Sequence, residues 1–552
     1  MNFFLYISFY LFLLFSIVGH GNLFQKIFFR GQKINLGYLG FFGIFILLII
    51  SYIFNIFFPL SSKLNFFILF IGFIFFIQFL HQNYLKEKTD LFLFLVIFGL
   101  LIVFILTAKN HDDFPYYHFE YIHFITKFPS TFGIGIFNHG FRTHSSIFYL
   151  SSLFYLPRAE YNLIHIAPVF FLGFANFIFI KKIYTNLKNK EDVYIILISL
   201  LSLVLANVFF YRMAEHGTDR SAQIVVLIVV IEILQFINRS NFDRILLSKI
   251  FVLITIAISL KAFYVMYLLL IIPVVYYQND KLQFFLQIIK NKIFYICLVL
   301  FLLFISVNFL NTGCIIYPVQ ITCNENLLWA IPLEQVIAMN NWYELWSKGG
   351  ATPNFRVENR DLYIQNFNWV FNWLNVYFFN KVSDFLLGLF FSIFVFFIFL
   401  VSWKKIKTKL IKKKYLALYF TLLLLFFEWF YNHPALRYGG YHLIALLIFL
   451  PVAFAIEKKI IINKKLIQKI NFLIIIIALI FLSRNILRIN KEIKVYNYNF
   501  YNNASYNKSF QNYSIYKNIL DIKKCNLDIK KCPEQTVLTF KKYNKDGFYI
   551  KK

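Results

Sequence analysis

The chain has 552 residues, 60% of them hydrophobic, and a mean hydropathy of +0.65. A soluble globular domain is about 45–50% apolar, so an ordinary soluble protein is excluded. The formal charge of +29 does not point to nucleic acid, because the lysines sit mainly in short loops between apolar runs.

The 75 phenylalanines, with abundant Ile, Lys and Asn, fit an A/T-rich codon bias and carry no functional signal as a class. P-loops, CxxC zinc pairs and GxSxG elbows are absent from the sequence. ATP-driven and serine-hydrolase chemistries therefore lack support.

The first 18 residues are apolar, without a basic n-region or a small-residue cleavage site, and read as a first span rather than a cleaved signal. Further spans are predicted at 36–59, 64–80, 90–108, 162–180, 193–210, 221–238, 247–260, 262–277, 292–310, 383–402, 414–431, 441–456 and 469–486. Segment 145–157 is apolar but short, and reads as re-entrant or lying against the bundle. The expected fold is an all-α polytopic membrane protein of about 12–14 transmembrane helices with an outer-face loop domain. Its parts are N-terminal helices (1–108), a first large outer loop with an interfacial helix (109–161) and a helix bundle (162–310). A second large outer loop (311–382), C-terminal helices (383–486) and an outer tail (487–552) follow.

Basic loops set the orientation. Lys181, Lys182, Lys188 and Lys190, the stretch Arg239–Lys249, the seven lysines of Lys404–Lys414 and the five of Lys458–Lys469 all fall on one side of an alternating path. With that side in the cytoplasm, 109–161, 211–220, 311–382, 432–440 and the tail face outward. The weak point is the short pair 247–260 and 262–277, which as one kinked helix would invert part of the chain. Cysteine usage agrees with the path. Cys314 with Cys323, and Cys525 with Cys532, are close pairs in outer loops and read as disulfides. Reduced cysteines, or a metal site in the tail, remain the alternative. Nine of the eleven histidines lie in outer loops or at outer helix ends.

The first outer loop opens on Asn110-His111-Asp112-Asp113, directly after the apolar run Leu91–Leu106. Adjacent carboxylates at a membrane helix mouth are costly and mark a functional site. Phe114-Pro115 then redirects the chain. Tyr117, Tyr121, Phe124 and Phe128 share one helix face, which either lies in the membrane interface or packs on the bundle. Gly133, Gly135 and Gly140 allow turns or close approach to a ligand. Tyr117, His118, Asn138, His139, Arg142 and His144 supply polar groups for a substrate, or satisfy a polar re-entry loop.

A second constellation is Arg212-Met-Ala-Glu215-His216-Gly-Thr218-Asp219-Arg220. Glu215 and Asp219, one helical turn apart, could bind sugar hydroxyls, hold a cation, or pair with Arg212 and Arg220. In the long loop, Trp329, Trp342, Trp346, Trp369 and Trp373 suit interface anchoring and sugar stacking alike. The third constellation is Asn432-His433-Pro434 to Gly439-Gly440-Tyr441-His442. It places Arg437, with Tyr438, at an outer boundary, where bidentate hydrogen bonds suit a phosphate or pyrophosphate. The alternative role for this arginine is headgroup anchoring. In the tail, the sequons at Asn503, Asn507 and Asn512 read as accidents of an Asn-rich chain.

Together these residues resemble a membrane glycosyltransferase of the GT-C superfamily: many spans, an acidic pair in the first large outer loop, an interfacial helix there, and further outer loops closing a site. More narrowly, Tyr117-His118 through Gly133–Ser146, with Ile316-Tyr317-Pro318, is similar to a family of uncharacterised bacterial polytopic membrane proteins, over about 300 residues of short motifs. That family supplies no established activity. The chain departs from the superfamily in placing the first outer loop after about four apparent spans rather than after the first.

The GT-C resemblance implies an inverting transferase in the cytoplasmic membrane, active on the outer face, that modifies cell-surface glycans. Its donor would be a polyprenyl phosphate sugar and its acceptor a glycan or lipid, with no nucleic-acid partner. Asp112 or Asp113 stands where those enzymes place the catalytic acidic residue, one acting as general base on an acceptor hydroxyl and the other orienting the acceptor. Arg437 and Arg142 would face the leaving phosphate. A divalent cation could sit at His111, Asp112 and Asp113, although a lipid-phosphate donor does not call for one, so no metal ligand is assigned. A flippase or transporter, an O-antigen ligase or polymerase, and a non-catalytic assembly protein are the competing readings.

Overall fold

The computed structural model describes residues 1–107, 113–213, 217–239, 242–352, 357–401, 415–502, 537–542 and 545–550. The predicted residues His111, Asp112, Glu215, Cys525 and Cys532 lie outside the described residues, as do the sequons and the basic stretch 404–414.

Among the described residues nearly all regular structure is helical. Apolar runs supply the helix interiors, and short polar side chains start them. Asn2, Asn35, Asp192, Asp243, Asp280, Asn291 and Asn463 each accept a hydrogen bond from a first-turn backbone N–H. Gly313, at φ +79°, closes the helix Lys292–Thr312 in the left-handed conformation that favours glycine.

Among the described residues, ten helices are long and apolar enough to cross a membrane. Three shorter apolar helices, Val193–Phe209, Ala262–Tyr276 and Leu416–Asn432, and the buried helix Arg244–Leu260 occupy the other predicted span positions. The helical run Ser62–Leu100 has 39 residues and doubles back on itself, because Phe66 stacks on Phe12 of the first helix while Phe98 O accepts from Tyr10 of that same helix. It carries two candidate spans, Ser62–Leu85 and Glu87–Ile105.

Close approach of the first helices depends on glycine. A Cβ on Gly19 would meet the Gly72 carbonyl, and one on Gly21 would meet that of Leu39. Small residues at membrane helix contacts let backbones approach in this way. Segment 145–157 forms the buried helix Ser146–Leu153, with Tyr52 bonded to Ser146 (2.8 Å).

The wholly helical expectation needs one correction. The tail carries an antiparallel hairpin, Val537–Lys542 with Lys545–Ile550. It docks on the first loop: Phe132 N–H donates to Asp546 O (3.2 Å) and Phe548 N–H donates to Phe132 O (2.9 Å). Trp329 stacks on Phe540.

Polar contacts gather the chain at two ends. At one end Lys182 pairs with Glu232, Lys181 with Asp90 and Lys33 with Glu87, and Tyr415 donates to Asn238. At the other, Asp113, Asp219, Lys261 and Arg437 meet. The pair 247–260 and 262–277 makes two passes. Ser248 bonds Asn291 at the first end, while Lys261 sits with Asp219 at the second.

Candidate functional site

Four elements converge at the second end. Asp113 precedes the π-turn Phe114–His118. Asp219 lies in the first turn of Gly217–Asn238. Lys261 interrupts two apolar helices, and Arg437 lies in the short turn Leu436–Tyr438. Lys261 Nζ is 2.5 Å from Asp219 Oδ1. Arg437 Nε is 3.3 Å from Asp219 Oδ2, and its terminal nitrogen is 3.8 Å from Asp113 Oδ2. Contact loosens along that chain as exposure rises: the Asp219 side chain is 8% exposed, Asp113 31% and Arg437 37%. The Asp113–Arg437 side is therefore the more open part of the cluster.

The turn that carries Arg437 is tied down. Pro434 and Gly439, at φ +146°, end one helix and begin another. Trp373 Nε1 donates to Pro434 O, Trp429 Nε1 to Ala435 O, Leu436 N–H to Tyr377, and Gln223 Nε2 to Arg437 O. Aromatic rings flank the cations. Arg437 lies over Trp346 at 5.2 Å and Tyr438 at 5.4 Å, and Lys261 over Tyr438 at 4.6 Å. Cations are held over ring faces by the quadrupole.

Burial works against the Arg437 charge, but Tyr438, Asp219, Tyr117 and Asp113 outweigh it, so the guanidinium holds its proton more firmly than usual. Burial draws Lys261 below the ordinary lysine value, against the pull of Asp219. The Tyr438 hydroxyl is pushed up by burial, although Arg437 opposes this. It stays a neutral donor. Burial and Arg142 lower His139, while Asp113 pulls it upward.

The predicted residues divide around this cluster. Tyr117 lies within electrostatic reach of Asp113, Arg437 and Asp219. Tyr116 bonds His139 Nδ1 (3.2 Å). Asn138 donates to Tyr116 O and caps Gly140, which has no room for a Cβ beside the Tyr117 ring. Arg142 is committed inside the protein, donating to Gly135 O, Tyr317 Oη and Gln335 Oε1. It holds the loops 109–161 and 311–382 together. His118 packs on Tyr117 and Phe148. His144 is buried between Tyr52, Tyr149 and Phe304, and burial lowers its pKa to about 3. The aromatic face of Phe119–Lys127 is covered by protein, with Tyr121 against Phe141 and Phe148.

Asp219 pairs with Lys261 and Arg437, whereas Arg220 lies over the Phe210 and Tyr441 rings. Cys314 and Cys323 form a disulfide. No group of three His, Cys, Asp or Glu residues suited to a metal ion occurs among the described residues. Sequence reasoning missed Lys261 and Gln223, and named Trp346 only as one of the anchoring or sugar-stacking tryptophans of the long loop. Lys261 has a signal in hindsight, a lone cation between two apolar runs.

A bundle of apolar helices with a charged, ring-lined cluster at one end defines a polytopic helical membrane protein. The chain belongs to the family described as Domain of unknown function (DUF8201), matched over residues 1–444. That stretch contains Asp113, Asp219, Lys261 and Arg437, and the tail hairpin lies beyond it. No curated protein and no solved structure matches the chain.

Proposed function

We propose that the protein is a membrane glycosyltransferase that uses a lipid-linked sugar phosphate donor at the end of the bundle carrying Asp113 and Arg437, the outer face of the cytoplasmic membrane. The observation that carries the reading is the 3.8 Å approach of an accessible carboxylate, Asp113, to a firmly charged guanidinium, Arg437. Glycosyl transfer from a phosphate needs both groups at short range. An acceptor hydroxyl attacks the anomeric carbon and its proton passes to Asp113. The bond from that carbon to the phosphate oxygen breaks, and the electron pair leaves with the polyprenyl phosphate. Base catalysis of this kind contributes about 10²–10⁴-fold. Arg437, backed by Lys261, meets the charge that develops on the leaving phosphate.

The test is complementation of a deletion strain with Asp113→Asn and Asp112→Asn, reading surface glycans by mass spectrometry and protein level by blotting. A sugar missing with protein level unchanged supports the reading. A normal glycan from both variants overturns it. One observation favours a transporter instead. Glu232 is wholly buried in an apolar helix, paired with Lys182 at 2.5 Å and bonded to Tyr38, and intramembrane ionisable groups mark transport paths. On that reading Glu232→Gln abolishes the phenotype while both aspartate variants retain it.

A further inference from the structure

At the opposite end of the bundle lies a cavity of about 370 Å³. Its wall is built from the end of Phe3–Phe28 with the loop after it, and from the starts of Arg244–Leu260 and Lys292–Thr312. Three cations line it, Arg30, Arg244 and Lys292, together with Gln32, Ser248 and Asn291. All three cations are exposed, and none has an ion-pair partner among the described residues. The nearest carboxylate in sequence, Asp243, is taken by Arg239 and by the backbone of its own helix start. The polar floor is fixed: Asn291 donates to Ser248 Oγ (3.0 Å) and accepts from Ile293 N–H. Two helix starts add partial positive charge. On one wall Ile27 is 54% exposed, so an apolar chain can continue from the cavity onto the bundle surface.

We propose that this cavity binds a phosphate group presented by the headgroup of an anionic phospholipid. Uncompensated cations gathered between membrane helices at a basic membrane face are the arrangement that recognises such headgroups. The exposed isoleucine favours an amphiphile over a free anion. The site is separate from the Asp113–Arg437 cluster and does not depend on its assignment.

The experiment uses the full chain purified in a neutral detergent. Its thermal midpoint is followed against dioctanoyl phosphatidylglycerol, dioctanoyl phosphatidylcholine and inorganic phosphate. Phosphatidylglycerol is expected to raise the midpoint saturably and the other two are not. In Arg30→Gln/Arg244→Gln/Lys292→Gln, half-saturation moves up about 10–100-fold, from the loss of three headgroup contacts. Lys281→Gln/Lys290→Gln, which removes charge at the same end but outside the cavity, keeps the wild-type response. Equal stabilisation by inorganic phosphate, lost in the triple variant, supports the phosphate site and replaces the lipid as its source. No shift with either anion, or a full shift retained by the triple variant, overturns the proposal.

Discussion

Asp113 and Asp219 are both paired with Arg437, yet removing their charges should have different consequences for stability. Asp219 is nearly enclosed and holds two cations. Asp219→Asn leaves Lys261 and Arg437 with only the looser Asp113 as counter-charge, at a cost of about 3–5 kcal/mol. Asp113 is a third exposed and only 3.8 Å from its partner, so Asp113→Asn should cost about 1 kcal/mol or less. Denaturation midpoints of the purified variants, set beside glycan output, separate the two roles. Asp113→Asn loses output while keeping its midpoint, whereas Asp219→Asn loses both.

His433, in the turn beside Arg437, gives a pH signature. Burial, then Lys348 and Lys261, lowers its pKa to about 4, below the ordinary 6.5. Between those values the unfolded chain binds the extra proton, so stability is full above about pH 6.5 and falls as pH drops through 4. The loss is on the order of 1–3 kcal/mol, and His433→Gln should flatten the midpoint-against-pH curve over that window. Charges beside apolar runs, Asp113 and Arg437, are visible in the sequence because such positions are costly. Lys261 was not visible as a partner, since its carboxylate lies 42 residues away in the chain. Arg142 and His144 look equally polar in sequence, but their loop turns them inward.

At the scale of elements, helix boundaries follow from apolar runs and their Asn or Asp caps, which are local and therefore legible. Contacts between helices are less so. Gly21 sits against the Leu39 carbonyl, while Gly99 has nothing near its absent Cβ. Gly21→Ala must push two helices apart, costing about 1–3 kcal/mol. Gly99→Ala should be neutral or gain up to about 1 kcal/mol from helix propensity. Thermal midpoints in detergent would show the contrast, and equal effects at both positions would remove the case for a glycine-dependent contact. The tail hairpin is the clearest illegible element. Its strands are short and basic, and the partners that fix them, Phe132 and Trp329, come from loops hundreds of residues earlier.

For the whole molecule, the alternation of polar ends is readable in the sequence because the lysine-rich loops fall on one side of an alternating path. The bundle keeps that alternation through the junction at Lys261, where two short helices make two passes. On the proposed orientation, with the lysine-rich side in the cytoplasm, the cavity of Arg30, Arg244 and Lys292 is cytoplasmic and the Asp113–Arg437 cluster lies outside. Two exposed loop positions test this directly, Glu358 in the long loop and Asn279 in the turn before Lys281–Ile289. Single cysteines are introduced there in a Cys525→Ser/Cys532→Ser background, where Cys297 is buried and Cys314–Cys323 is bonded. A membrane-impermeant maleimide should label Glu358→Cys in intact cells, and Asn279→Cys only after permeabilisation. The reverse pattern would put Asp113 and Arg437 on the cytoplasmic side. A donor reaching them from the outer leaflet would then be impossible, and the transferase reading would have to be rebuilt around a cytoplasmic donor.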